Sequence, residues 1–133
     1  MFTHSRKVLL RETDVTGVIY FTSVLQYAME AFENYLQEHV GGLSSLFSLG
    51  YFFPIVHVEA DLSSPLRVSD DIMVELKLDH IGNTSFTLTS VIWHMPHHIL
   101  AGKTKIVHAT LPKGAVKASC VPEEVRTMLL QLK

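Results

Sequence analysis

Cysteine is nearly missing from this chain: Cys120 is the only one in 133 residues. No disulfide can close within the chain, and a reducing compartment is the expectation. Positive charge is not in excess either, with 11 Lys and Arg against 13 Asp and Glu and a formal net charge of −2. Nucleic-acid binding normally needs a basic face, so no nucleic-acid partner is expected, although anions can still bind locally. Apolar runs are short, and none reaches the ~20 residues that span a bilayer, so no membrane partner is expected. The stretch Met1–Lys7 has no apolar core of the signal-peptide kind, which makes a cytoplasmic location the expectation. Repeats, linkers and low-complexity tracts are absent too, and the length suits one domain over residues 1–133.

What the chain does have is alternation. Asp71–His80 sets Ile72, Val74, Leu76 and Leu78 on one face and Met73, Glu75, Lys77 and Asp79 on the other. Gly82-Asn83 makes a hairpin turn, and Ser85–Met95 returns with Phe86, Leu88, Ser90 and Ile92 inward. Pro96-His97 turns the chain again into a strand over Ile99–Leu111, and Phe52–Ser63 and Thr3–Glu12 are two further strand candidates. Val24, Ala28, Ala31, Phe32, Tyr35 and Leu36 recur at helical spacing, which predicts one long helix over Thr22–Val40, stopped by Gly41-Gly42. Ser23 with Gln26 reads as a capping box at its start. Glu123–Leu132 reads as a C-terminal helix, and Leu43–Tyr51 as a loop with a short helical turn. One strand, a long helix and four antiparallel strands give an α+β order. The apolar helix face should lie across the sheet.

Between the first strand and the long helix stands Asp14-Val15-Thr16-Gly17-Val18-Ile19-Tyr20-Phe21. Asp14 with Thr16 and Gly17 makes a good turn, since Asp side chains accept from backbone N–H groups two residues on. The same spacing delivers a carboxylate toward a helix N-terminus, whose free N–H groups and dipole can hold an anion or polarise a carbonyl. Gly17 allows a positive φ or a close ligand approach. No Ser-His-Asp or Cys-His nucleophile arrangement is visible, so a lone carboxylate chemistry suits the chain.

The stretch Asp14–Phe21, followed by Met29-Glu30-Ala31, resembles the signature of hotdog-fold acyl-CoA thioesterases of the 4-hydroxybenzoyl-CoA thioesterase type. Glu12-Thr13-Asp14 and Pro54-Ile55-Val56-His57 resemble more specifically the 1,4-dihydroxy-2-naphthoyl-CoA hydrolases of that group. Thr16-Gly17 stands where relatives often carry Ala-Gly. The resemblance spans about Lys7 to Leu111. It implies a hotdog fold, an antiparallel sheet wrapped around one long central helix, and hydrolysis of an acyl-CoA to free acid and CoA. It implies that the backbone N–H near Phe21 bonds the thioester oxygen while Asp14 serves as nucleophile or general base. Gly17, Tyr20, Phe21 and His57 are the implied substrate-binding residues, with no cofactor. Sheets paired edge to edge are implied as well, with the pockets between subunits of a homodimer or homotetramer. A fatty acyl-CoA, an acyl-carrier-protein substrate, another hotdog reaction and a non-catalytic acyl-CoA-binding module stay open as alternatives.

Other residues compete for notice. Glu30 and Glu33 are rival acids on the long helix, read more simply as solvated or interfacial charges. His94, His97 and His98 flank the Pro96 turn but match no metal-ligand spacing, and read as polar turn residues. Lys103, Lys105, Lys113, Lys117 and Arg67 are candidate cations for the CoA phosphates. Leu46-Phe47-Ser48-Leu49 and Tyr51-Phe52-Phe53 supply an apolar lip for the acyl group.

Overall fold

Period-two alternation builds most of the sheet. The computed structural model describes Met1–Lys133. Strands β1 (Phe2–Lys7), β3 (Ile55–Leu62), β4 (Asp71–Ile81), β5 (Ser85–Met95) and β6 (Ile99–Ala109) form one antiparallel sheet in the order β1-β4-β5-β6-β3. The inward faces of β4 and β5 bury the residues that the alternation predicts, Ile72, Val74, Leu76 and Leu78 with Phe86, Leu88, Ser90 and Ile92. Helix α1 (Ser23–Val40) lies across this face and buries Val24, Tyr27, Ala28, Ala31, Phe32, Tyr35 and Leu36 against it. Each large apolar side chain so buried contributes about 1.5–3 kcal/mol, which makes this the dominant contact of the molecule.

Three expected strand boundaries move, each for a local reason. The first strand ends at Lys7 instead of Glu12, because Leu10–Glu12 curl into a 3-10 turn whose Glu12 carboxylate accepts from the Leu9 N–H at 2.7 Å. The strand expected over Phe52–Ser63 breaks at Pro54, which has no N–H to give to a ladder. Tyr51–Phe52 (β2) pairs instead with Leu111–Pro112 (β7), so the expected last strand also divides. The expected Ser23–Gln26 capping box does not form: the Ser23 hydroxyl donates to the Glu12 carbonyl at 3.0 Å, and Thr22 at the helix start is already helical.

Gly41 closes α1 with φ +82°, in the left-handed region that glycine enters without a Cβ penalty. A short α2 (Leu43–Phe47) then folds back, and the C-terminal α3 (Glu123–Leu130) stops two residues before the expected end. Leu132 beyond it stays buried, and its carbonyl accepts from the Leu78 N–H at 3.0 Å.

Strand β3 is the exception to burial. It is the sheet edge beyond β6, and all eight of its residues are exposed. Four of them, Ile55, Val56, Val58 and Leu62, are large and apolar.

Candidate functional site

The loop ahead of α1 is tied down at both ends. Thr13 bridges to Ile19 and Val18 to Arg67, while the Asp14 N–H donates to the Val18 carbonyl at 3.0 Å. Gly17 turns the chain at φ +83°, with open space where a Cβ would stand. Tyr20 N–H reaches the Glu12 carbonyl at 2.8 Å, the same oxygen that holds the Ser23 hydroxyl. The start of α1 is therefore stapled to a residue two positions from Asp14.

Asp14 itself is fully exposed. Its Oδ1 accepts from the Thr16 N–H at 2.8 Å and from the Thr16 hydroxyl. These bonds, the hydroxyl one first, hold the carboxyl below its ordinary value and keep it ionised at neutral pH. Oδ2 accepts from nothing in the chain. The expected turn thus forms, and it leaves one carboxylate oxygen free. Nearby, the Phe21 N–H donates to no backbone carbonyl, and the Tyr20 and Phe21 rings stand exposed with centroids 4.7 Å apart.

Behind this loop lies a charge network that the sequence reading missed. Arg6 donates to Glu12 Oε1 at 2.6 Å and to Glu30, and stacks its guanidinium 4.7 Å over the Tyr27 ring. His4 is 3.0 Å from Glu30, and the Tyr27 hydroxyl donates to Glu12 at 3.1 Å. Burial, and next the Glu12 carboxylate, push the Tyr27 hydroxyl up, so it keeps its proton and donates. The alternation of β1 carries the signal for it: His4 and Arg6 share the face turned toward α1, where their polar heads need partners.

Of the rival acids, Glu30 is occupied by Arg6 and His4. Glu33 is exposed and stands at the rim of a cavity of about 390 Å³ between α1, α2 and the β2–β3 segment. That cavity is lined by Met29, Phe32 and Ile55 with Leu46, Phe47, Phe52 and Phe53 of the expected apolar lip, whereas Leu49 lines a separate hollow with Val125 and Met128. His108 also lines it, a residue the sequence reading passed over although it alternates with Thr104 and Ile106 on the inner face of β6.

His57 sits elsewhere. A bulge between Ile55 and His57 shifts the register against β6, so Ile55 opposes His108 but His57 opposes Val107. The one-residue slip turns His57 to the outer face of the sheet, beside Glu59 at 3.6 Å, and away from the cavity of its own chain. Alternation alone would have placed it with Ile55.

Lys103 and Lys105 lie on that same outer face, and Lys105 faces Asp79 at 3.8 Å. Among the five cations considered, Arg67 is the one whose backbone bridges to the Asp14 loop. His94 approaches Asp70 at 3.5 Å, His98 stacks on Trp93 with centroids 3.9 Å apart, and no set of three acids, thiols or imidazoles is placed to hold a metal ion.

Comparison with known proteins agrees with this geometry. The family described as the thioesterase-like superfamily matches residues 8–129. A 1,4-dihydroxy-2-naphthoyl-CoA hydrolase of Synechocystis is 28% identical over 132 residues, covering 98% of this chain and 96% of that protein. One from Rippkaea orientalis is 33% identical over 113 residues, covering 84% and 82%. The crystal structure of a 1,4-dihydroxy-2-naphthoyl-CoA thioesterase from Synechocystis superposes with a TM-score of 0.90 at 27% identity, covering 98% of this chain and 96% of that one. The chain belongs to the thioesterase-like superfamily and, with it, to the hotdog-fold acyl-CoA thioesterases.

Proposed function

We propose that the chain hydrolyses the CoA thioester of an aromatic acid of the 1,4-dihydroxy-2-naphthoyl class, at a site completed by a second copy of itself. The observation that carries this reading is the separation of two half-sites along β3. The Asp14 loop lies by the Leu62 end, where Val18, Ile19, Leu62 and Pro65 line a shallow groove. The aromatic-lined cavity lies by the Ile55 end. Eight residues of strand separate the two by roughly 25 Å. A two-fold axis pairing two β3 edges antiparallel brings the Leu62 end of one protomer to the Ile55 end of its partner. It also covers the exposed apolar edge.

In this arrangement the acyl ring enters the partner's cavity, and its volume falls within the ~300–1,000 Å³ of small-molecule sites. The thioester carbonyl lies at the start of α1, where the Phe21 N–H bonds its oxygen and stabilises the charge that develops there. Asp14 Oδ2 then either attacks the carbonyl carbon, expelling the CoA thiolate and leaving a mixed anhydride that water hydrolyses to the free acid, or takes a proton from an attacking water whose tetrahedral adduct expels the thiolate. Gly17 leaves room for the approach, Tyr20 and Phe21 flank the entry, and Arg67 meets a CoA phosphate.

The test is thiol release from 1,4-dihydroxy-2-naphthoyl-CoA, benzoyl-CoA, acetyl-CoA, palmitoyl-CoA and an acyl-carrier-protein ester. The expected result is turnover of the aromatic CoA esters well above the rest. Preference for palmitoyl-CoA or the carrier ester overturns the substrate class, and binding without any turnover overturns catalysis.

A further inference from the structure

His108 is 2% exposed at the base of the aromatic cavity, whereas the rim residues Phe47, Phe52 and Ile55 are 42%, 38% and 44% exposed. Its Nδ1 lies 2.9 Å from the Phe53 carbonyl. A carbonyl only accepts, so Nδ1 carries the proton and Nε2 of the neutral ring is left as an acceptor. Nε2 has no partner in the chain. Burial pushes the imidazole below its ordinary value, which keeps it neutral at pH 7. The ring cannot swing out to find a partner, since it stacks on Phe86 at 5.0 Å and 14° and meets Phe32 at 5.5 Å.

The cavity wall is otherwise apolar, apart from Glu33 at the rim. Apolar walls accept alkyl and aryl groups alike, and separate them only by shape. A buried lone acceptor discriminates more sharply, because a ligand without a donor leaves it unpaired. The reacting carbonyl belongs at the cavity mouth, near the Asp14 loop of the other protomer, so the acyl ring enters the cavity and a ring hydroxyl not adjacent to the thioester can reach the base.

We propose that His108 is the specificity-determining contact for the acyl group, its Nε2 accepting a hydrogen bond from a ring hydroxyl remote from the thioester. This rests on the reading that the acyl group occupies this cavity. It predicts a hydroxylated aryl acid as the preferred acyl group, and poor use of aliphatic acids and of aryl acids lacking that hydroxyl.

The experiment compares 1,4-dihydroxy-2-naphthoyl-CoA with 1-hydroxy-2-naphthoyl-CoA, which differ only in the remote hydroxyl. Wild type should favour the first by at least about tenfold in kcat/KM. In His108→Phe, which keeps an aromatic ring but no acceptor, the ratio should collapse to within about twofold of one, a discrimination lost with the hydrogen bond. In parallel, the ring ¹⁵N resonance of Nε2 in the wild-type protein is followed while the two free naphthoic acids are added. It should move with the dihydroxy acid alone.

Equal turnover of both esters, a ratio unchanged in His108→Phe, or a static Nε2 resonance overturns the proposal while leaving the thioesterase reading in place. No turnover of either ester together with a selective Nε2 shift overturns the thioesterase reading and keeps the His108 site. Should His108→Phe fail to fold, the wild-type ratio and spectrum decide without it.

Discussion

Arg6 Nη2 donates to Glu12 Oε1 at 2.6 Å, with side-chain exposures of only 12% and 6%. Two opposite charges so far from water tie β1 to the residue that anchors both the start of α1 and the Asp14 loop. A buried pair costs desolvation to form, and costs more to break than it contributes when intact. Glu30, at 39% exposure, gives Arg6 a second and better solvated partner whose pairing is weakened by screening.

Glu12→Ala is therefore expected to destabilise the chain by about 3 kcal/mol, because it leaves the buried Arg6 with only the better solvated Glu30 and removes the acceptor for the Leu9 N–H and the Tyr27 hydroxyl. Glu30→Gln should cost no more than about 1 kcal/mol. Urea unfolding of the two variants against wild type gives both values. A larger loss for Glu30→Gln would place the anchor on the helix instead.

Asp14→Asn should fold normally, because its amide oxygen can still accept from the Thr16 N–H. Turnover should fall about 10²–10⁴-fold, the usual cost of losing a catalytic carboxylate, while binding of a non-hydrolysable CoA thioether persists. Glu33→Gln and Glu30→Gln are the controls and should lose far less. If Asp14→Asn turns over normally and one of the helix acids proves essential, the catalytic role moves to α1.

The pH dependence follows from Thr16. Its hydroxyl and N–H hold the Asp14 carboxyl below the ordinary value of 3.8, so the active, ionised form is complete at neutral pH and is lost only as pH falls through that lowered value. Thr16→Val removes the larger of the two bonds and should raise the acid limb of kcat/KM toward higher pH. Rate profiles of wild type and Thr16→Val decide. An unmoved limb would mean that the Thr16 hydroxyl does not set the Asp14 charge.

Val58→Asp places a charge in the middle of the exposed edge strand, opposite Ile106. Repulsion between two such edges should give a folded monomer by light scattering and circular dichroism. Activity should drop at least about tenfold, since the two half-sites then no longer meet. A monomer as active as wild type would show that one chain holds a complete site.

Local chemistry made much of this protein legible in its sequence. The alternation of Asp71–His80 and Ser85–Met95 determined which side chains face the core, because a pleated strand cannot present its side chains otherwise. Apolar residues at helical spacing determined α1, and Asp14-Val15-Thr16-Gly17 determined its turn, since those bonds close within a few residues. Tertiary structure decided what depends on pairing across the chain. The bulge that turns His57 outward exists only in the register of β3 against β6. Arg6, Glu12, Tyr27 and Glu30 meet because β1 and α1 pack together, and none of their spacings announces it. His108 gains its unpaired Nε2 only because the Phe53 carbonyl, 55 residues away in sequence, accepts a hydrogen bond from its Nδ1–H. Periodicity records which face a residue takes, whereas the partner it meets there depends on contacts between segments distant along the chain.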